Sequence, residues 1–359
     1  MRADNVSKMD SKIRKVMEQL KHLQSPVEEV CPIGIVSMDN WEWPQGVGLF
    51  AIYLYYRKTK RPELLQELRG WFDSQLERGL PPKNVNTMCP MLALVCLYEE
   101  TKHEPYLRAC QEWAEYAMYE MPRTGENAIQ HTVSGALNPG EIWDDTLYMT
   151  VLFLAKMGVL LGNDAYIQES IRQFLVHLKY LTDRSTGLLF HGWTFLENHH
   201  FAKALWARGN SWYTAGLVDY LDIIELPEGV KGVFLSALEK QAEALSLLQN
   251  SEGMWHTLLD DPSSYAETSA TAAFAYGLLK AVRKGYLPIA YKEASVKAWR
   301  AVLSQIDDYG IVRGVSYGTG MGRTLQEYRD IPICSMPYGQ SMVLLMLIEG
   351  LEHDLNMET

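Results

Sequence analysis

Pro62-Glu63-Leu64-Leu65-Gln66-Glu67-Leu68-Arg69-Gly70-Trp71-Phe72-Asp73-Ser74-Gln75-Leu76-Glu77-Arg78-Gly79 sets Leu64, Leu65, Leu68, Trp71, Phe72 and Leu76 on one stripe, against Glu63, Glu67, Arg69 and Asp73. Apolar residues that recur at three- and four-residue steps describe a helix with one wet face. The next periodic stretch, residues 88–99, keeps the helical spacing but carries almost no charge. A helix of that kind is covered on most sides. The two together make a unit of one striped helix and one smooth helix.

The unit recurs along the chain. Striped stretches fall at 7–23, 62–79, 104–121, 165–181, 230–249 and 290–306, and smooth ones at 45–56, 88–99, 145–157, 211–224, 269–282 and 339–351. Strand signals are scarce. Six units in 359 residues give about 60 residues each, longer than the common helical solenoid repeats of roughly 34–47. An open stack would leave the flank of each end unit bare, whereas closing six hairpins into a ring buries every smooth helix in an inner layer. The expectation is therefore an all-α (α/α)6 barrel, a six-hairpin toroid spanning 1–359 as a single domain, with no Pro/Ser/Gly linker to divide it.

Composition bounds the function. A net charge of −11 argues against a nucleic-acid partner. Charges interrupt every apolar run before it reaches the ~18 residues of a membrane span, and the polar start Met1-Arg2-Ala3-Asp4 lacks the apolar core of a secretory signal. Five scattered cysteines, Cys31, Cys89, Cys96, Cys110 and Cys334, read as free thiols of a reducing, cytoplasmic compartment. No coiled-coil seam gives an oligomeric state.

Ten tryptophans are many for this length. Trp71, Trp113 and Trp299 lie in striped helices and suit a core. Trp41, Trp43, Trp143, Trp193, Trp206, Trp212 and Trp255 fall in or beside Gly- and Pro-containing segments, where flat rings can stack on sugars. Trp41-Glu42-Trp43, Asn84-Val85-Asn86, Asp144-Asp145, Trp206 to Trp212 and Tyr265 to Ser269 all stand at the starts of smooth helices. If those helices run the same way, five distant segments share one mouth.

Within Trp143-Asp144-Asp145-Thr146-Leu147-Tyr148-Met149, one aspartate is expected to cap the helix and the other to face the cavity, and periodicity leaves open which. Arg208, among aromatic neighbours, needs an anion: either a substrate carboxylate or an internal Asp or Glu. His191, in the turn Phe190-His191-Gly192, is structural or catalytic. His131 and the pair His199-His200 lack metal-ligand spacing, so no metal or other cofactor is expected. Gly318-Thr319-Gly320-Met321-Gly322 lacks phosphate-loop spacing and reads as a flexible turn.

These residues resemble glycoside hydrolase family 105, the unsaturated rhamnogalacturonyl hydrolases, and the related family 88. The likeness rests on Trp41 to Val47, Trp143 to Met149, Phe190-His191-Gly192, Trp206-Ala207-Arg208-Gly209-Asn210-Ser211-Trp212 and Glu267 to Ala272. It implies an (α/α)6 barrel that removes a 4,5-unsaturated galacturonic acid from the non-reducing end of pectin-derived oligosaccharides by hydrating its double bond. It places the general acid/base on Asp145 and substrate binding on Trp41, Asn86, His131, Trp143, His191, Trp206, Arg208 and Trp212. The chain departs where relatives carry a second Asp, since it has Asn86 there. Three alternatives stand beside this reading: an unsaturated glucuronyl hydrolase; an inverting glycosidase pairing Asp145 with Glu42, Glu197 or Glu267; and a non-catalytic carbohydrate-binding protein.

Overall fold

The structure, a computed structural model, describes residues 2–23, 36–353 and 355; Cys31 lies outside them. Six outer helices, α1 (Arg2–His22), α3 (Pro62–Arg78), α5 (Glu104–Glu115), α7 (Asp164–Leu181), α9 (Glu228–Leu248) and α11 (Lys292–Ser304), alternate with six inner ones. The inner helices are α2 (Trp43–Thr59), α4 (Cys89–Thr101), α6 (Leu152–Leu161), α8 (Ala207–Ile223), α10 (Thr268–Arg283) and α13 (Pro337–Gly350). Each inner helix packs on the next, from α2 through α4, α6, α8 and α10 to α13, and α13 returns to α2. The ring is closed. Outer helices pack on inner partners in the pairs α2–α3, α4–α5, α6–α7, α8–α9 and α10–α11, while α1 covers α13.

The charge pattern explains the two layers. Every residue of α13 is buried, and so is every residue of α4 from Cys89 to Leu97, whereas α3 buries only Leu64, Leu68, Phe72 and Gln75. Proline opens α2, α3, α4, α5 and α13 in the first turn, where a missing N–H costs nothing. The stretch expected as one helix from 145 is subdivided. It starts as a π-turn over Leu147–Val151 before becoming α6, and α5 likewise ends in a π-turn at Tyr116–Glu120. Among the described residues, no helix is long and apolar enough to cross a membrane.

Periodicity gave no warning of two three-residue strands, β1 (Glu141–Trp143) and β2 (Gly192–Thr194). They pair antiparallel with Trp143 opposite Gly192 and Glu141 opposite Thr194. That register lays the residues after β1 beside the residue before β2, and the Asp144 N–H donates to the His191 carbonyl at 3.0 Å.

Candidate active site

The starts of the inner helices meet at one end of the barrel around a cavity of about 420 Å³. Glu42 and Trp43 come from the head of α2, Asn86 from the turn before α4, Asp145 and Met149 from the head of α6, and Trp206 and Arg208 from the head of α8. His131, Ser134, Asn138, Glu141 and Trp143 come from the crossing between α5 and α6, and Thr319, Gly320, Met321 and Arg323 from the loop before α12 (Leu325–Arg329). The Tyr265–Ser269 segment does not reach this cavity. The 318–322 run, expected as a flexible turn, supplies a wall.

Asp145 is the cavity-facing member of its pair, and its Oδ2 lies 3.4 Å from His191 Nε2. Burial alone would push its carboxyl up, but His191 beside it, with smaller contributions from His131 and Asp144, brings it down to about 2. Asp145 is a carboxylate in the free protein. His131 stacks flat on Trp143 with ring centroids 4.1 Å apart, and its Nδ1 meets Thr146 Oγ1 at 2.9 Å. Burial takes that ring down to about 3, which leaves it neutral.

Asp144 does not cap the helix, contrary to expectation. It is fully buried, neither carboxyl oxygen has a hydrogen-bond partner, and it packs against Gly209 where any Cβ would collide with its oxygens. Glycine at 209 is therefore the condition for this aspartate to be inside. Burial, then the neighbouring Asp145 charge, pushes its carboxyl well above the ordinary 3.8, so Asp144 carries the proton. Asp144, Asp145 and His191 each bring a ligand atom within 4.8 Å of the other two, the group among the described residues that could hold a metal ion. His199 instead meets Glu197, and His200 meets the Tyr180 carbonyl.

Arg208 finds its anion inside the chain. Nη1 donates to the Ser316 carbonyl at 3.0 Å and to Ser316 Oγ at 2.5 Å, while Nη2 donates to the Tyr317 carbonyl at 2.9 Å and to Thr319 Oγ1 at 2.8 Å. Glu267 Oε1 stands 3.7 Å away, and the guanidinium is sandwiched between Trp206 and Tyr338, 4.7 Å from each ring. The forked donors expected to clamp a substrate carboxylate are spent on the loop, and Nε is the part left unpartnered.

Two tryptophans expected at the substrate lie off the cavity wall. Trp41 stacks on Trp71 at 5.4 Å, packs against Phe72 and Trp113, and donates Nε1 to the Thr87 carbonyl, so it belongs to the core. Trp43 takes the wall position. Trp212 sits behind Trp43, edge-on at 5.7 Å, and against Tyr148. Asn84 closes the turn before α4 by accepting from Asn86 N and Thr87 N, which leaves the Asn86 side chain to the cavity. Glu42, which the sequence offered as a partner carboxylate of Asp145, does line the cavity. Sequence reading missed the wall roles of Ser134, Glu141 and Arg323, and missed Tyr328. Nothing local marks Tyr328.

With this geometry in place, comparison with known proteins is decisive. The profile described as Glycosyl Hydrolase Family 88 matches residues 10–353. The chain belongs to that family. A family relative, the unsaturated rhamnogalacturonyl hydrolase YesR of Bacillus subtilis, is 34% identical over 315 residues, covering 87% of this chain and 90% of its own. A solved structure from Salmonella enterica serovar Paratyphi A, described as a possible member of the GH105 family, is 43% identical with a TM-score of 0.94 over 97% of this chain and 95% of its own. A second, from Klebsiella pneumoniae and described in the same words, is 44% identical with a TM-score of 0.93 over 97% of this chain and 94% of its own. The family 88 chain is thus a glycosidase on an (α/α)6 barrel, as the resemblance to families 105 and 88 implied.

Proposed function

We propose that this enzyme removes a 4,5-unsaturated uronate from the non-reducing end of a short oligosaccharide by adding water across its double bond. The observation that carries the reading is Asp145, a carboxylate on the wall of a cavity that Trp43, Trp143 and Trp206 also line. Ordinary glycosidases act on the anomeric carbon with two carboxylates. An enol ether offers a route for one. The incoming substrate brings its own carboxylate beside Asp145, and that like charge raises the Asp145 pKa, so a proton is taken up on binding. Asp145 then gives this proton to C4, cation character develops at C5, and water adds there with Asp145 as base. The hemiketal opens and the remaining sugar leaves with its glycosidic oxygen, without attack at the anomeric carbon.

Galacturonate from pectin is the favoured uronate, supported by the rhamnogalacturonyl hydrolase name of the 34%-identical relative. Short substrates suit a small cavity. Cys89, Cys96 and Cys110 are buried and free, with thiol pKa values raised by burial, which suits a reducing, cytoplasmic setting. One domain, 1–359, would do the work.

A second reading has one observation in its favour. Glu42 lines the same cavity, accepts from Ser134 Oγ at 2.8 Å, and is raised by burial, as a general acid would be. Glu197 is exposed beside His199, and Glu267 is committed to Ala270 N, Ser316 N and Ser269. A matched panel of saturated and unsaturated disaccharides, with galacturonate and glucuronate forms, separates the readings. Loss of the alkene's ultraviolet absorbance with no turnover of saturated partners is expected. Cleavage of the saturated set would transfer the chemistry to Asp145 with Glu42, and binding with no product would leave a carbohydrate-binding protein.

A further inference from the structure

His191 is buried between Trp206, 4.4 Å away, and Trp143, 5.2 Å away, with its Nε2 toward Asp145. Its other nitrogen, Nδ1, lies 2.6 Å from the hydroxyl of Tyr328, a buried residue of α12 that is 137 positions away in sequence. The same hydroxyl accepts the Gly322 N–H at 3.2 Å and lies within donating reach of Met321 Sδ at 3.7 Å. Gly322 is held so close to the Tyr328 ring that any Cβ there would collide with it. Met321 and Arg323, either side of Gly322, line the cavity. One phenol therefore touches both the imidazole behind Asp145 and the loop that walls the substrate.

A phenol has a single proton to give. Spent on Nδ1 at 2.6 Å rather than on Met321 Sδ at 3.7 Å, that proton leaves a neutral His191 to carry its own on Nε2, 3.4 Å from Asp145 Oδ2, where a bare ring nitrogen would face a carboxylate oxygen. We propose that Tyr328 is a positioning residue for the reaction: its hydroxyl fixes the Nε2–H tautomer of His191, and through it the orientation of Asp145, and ties that alignment to the seating of the 319–323 loop. The proposal rests on the hydration reading for its catalytic consequence, but the tautomer itself does not depend on what the substrate is.

The test is a nitrogen-15 imidazole spectrum of histidine-labelled protein, with His191 assigned by His191→Gln. At alkaline pH, where the ring holds a single proton, wild type is expected to show His191 protonated at Nε2 and bare at Nδ1. Tyr328→Phe, which keeps the ring, is expected to mix the two tautomers and to lower kcat on the unsaturated disaccharide about tenfold, while KM moves less than about threefold. A wild-type His191 protonated at Nδ1 overturns the proposal, even if Tyr328→Phe fails to fold. So does a folded Tyr328→Phe whose His191 tautomer is unchanged, whatever happens to kcat. Absence of turnover with every unsaturated substrate would defeat the hydration reading and leave the spectrum to decide the tautomer by itself.

Discussion

At Asp145 burial and the His191 ring act in opposite senses, and at Asp144 burial and the Asp145 charge act in the same sense. Two carboxyls that share a peptide bond thereby take different protonation states. Only Asp145 reaches the cavity, so Asp145→Asn is expected to keep fold and binding while turnover falls roughly 10²–10⁴-fold, the scale of general acid–base loss; steady-state rates on the unsaturated disaccharide check this. Asp144→Asn is expected to cost far less activity, and its signature is in stability. A carboxyl raised in the folded state contributes stability that is complete below its ordinary pKa of 3.8 and is lost as pH rises through the raised value. The difference in Tm between Asp144→Asn and wild type should therefore grow in the variant's favour from pH 4 to pH 8. A flat difference would mean that Asp144 is ionised in the folded protein. Asp145 behaves oppositely: its contribution is present above 3.8 and is lost as pH falls toward about 2.

Among elements, the head of α10 shows how one side chain serves both fold and site. Glu267 accepts from Ala270 N in the first turn of α10, accepts from Ser316 N on the loop before α12, and is the buried counter-charge of Arg208. Glu267→Gln keeps the shape and removes the charge, leaving a desolvated guanidinium unpaired. Urea denaturation should show a loss of about 3–5 kcal/mol, the cost of breaking a buried ion pair from one side. The layer order of these helices was legible in the sequence, because charge-free and striped helices differ over a dozen or more residues each. The strands β1 and β2 were not, because three residues contain no period. Trp41 and Trp43 show the same limit in side chains: both are aromatic and both precede a smooth helix, yet only the ring closure of α13 against α2 and the core under α3 decide which one faces the cavity.

For the whole molecule, parallel inner helices give the barrel two unlike ends. The starts of α2, α4, α6 and α8 surround the Asp145 cavity, where their partial positive charge favours an anionic uronate. The opposite end collects the C-termini around a second cavity of about 520 Å³, where Arg57, Lys58, Lys156, Lys280, Arg283 and Lys284 outnumber Asp219, Asp222, Glu349 and Glu352. Cations are the sign that end requires. Lys280 is the most deeply set, bonded to Asp219 at 2.6 Å and to Asp222 at 2.8 Å. Lys280→Met should cost about 3–5 kcal/mol in chemical denaturation yet leave kcat/KM within about twofold, since the helices separate it from the chemistry. An equal fall in kcat/KM would show that the two ends communicate.

What the sequence determined by itself was whatever repeats or clusters locally: the helical class, the two layers, the six-fold closure, and the short motifs that carry the family likeness. Those follow from hydrophobic periodicity and from residues adjacent in the chain, which need no distant partner. Only the tertiary structure decided which aspartate faces the cavity, that the Arg208 donors are occupied by Ser316, Tyr317 and Thr319, and that Tyr328 stands behind His191. Each of those is a contact between segments that the ring brings together. Desolvation and hydrogen-bond geometry are properties of the assembled surroundings, and no stretch of chain carries them alone.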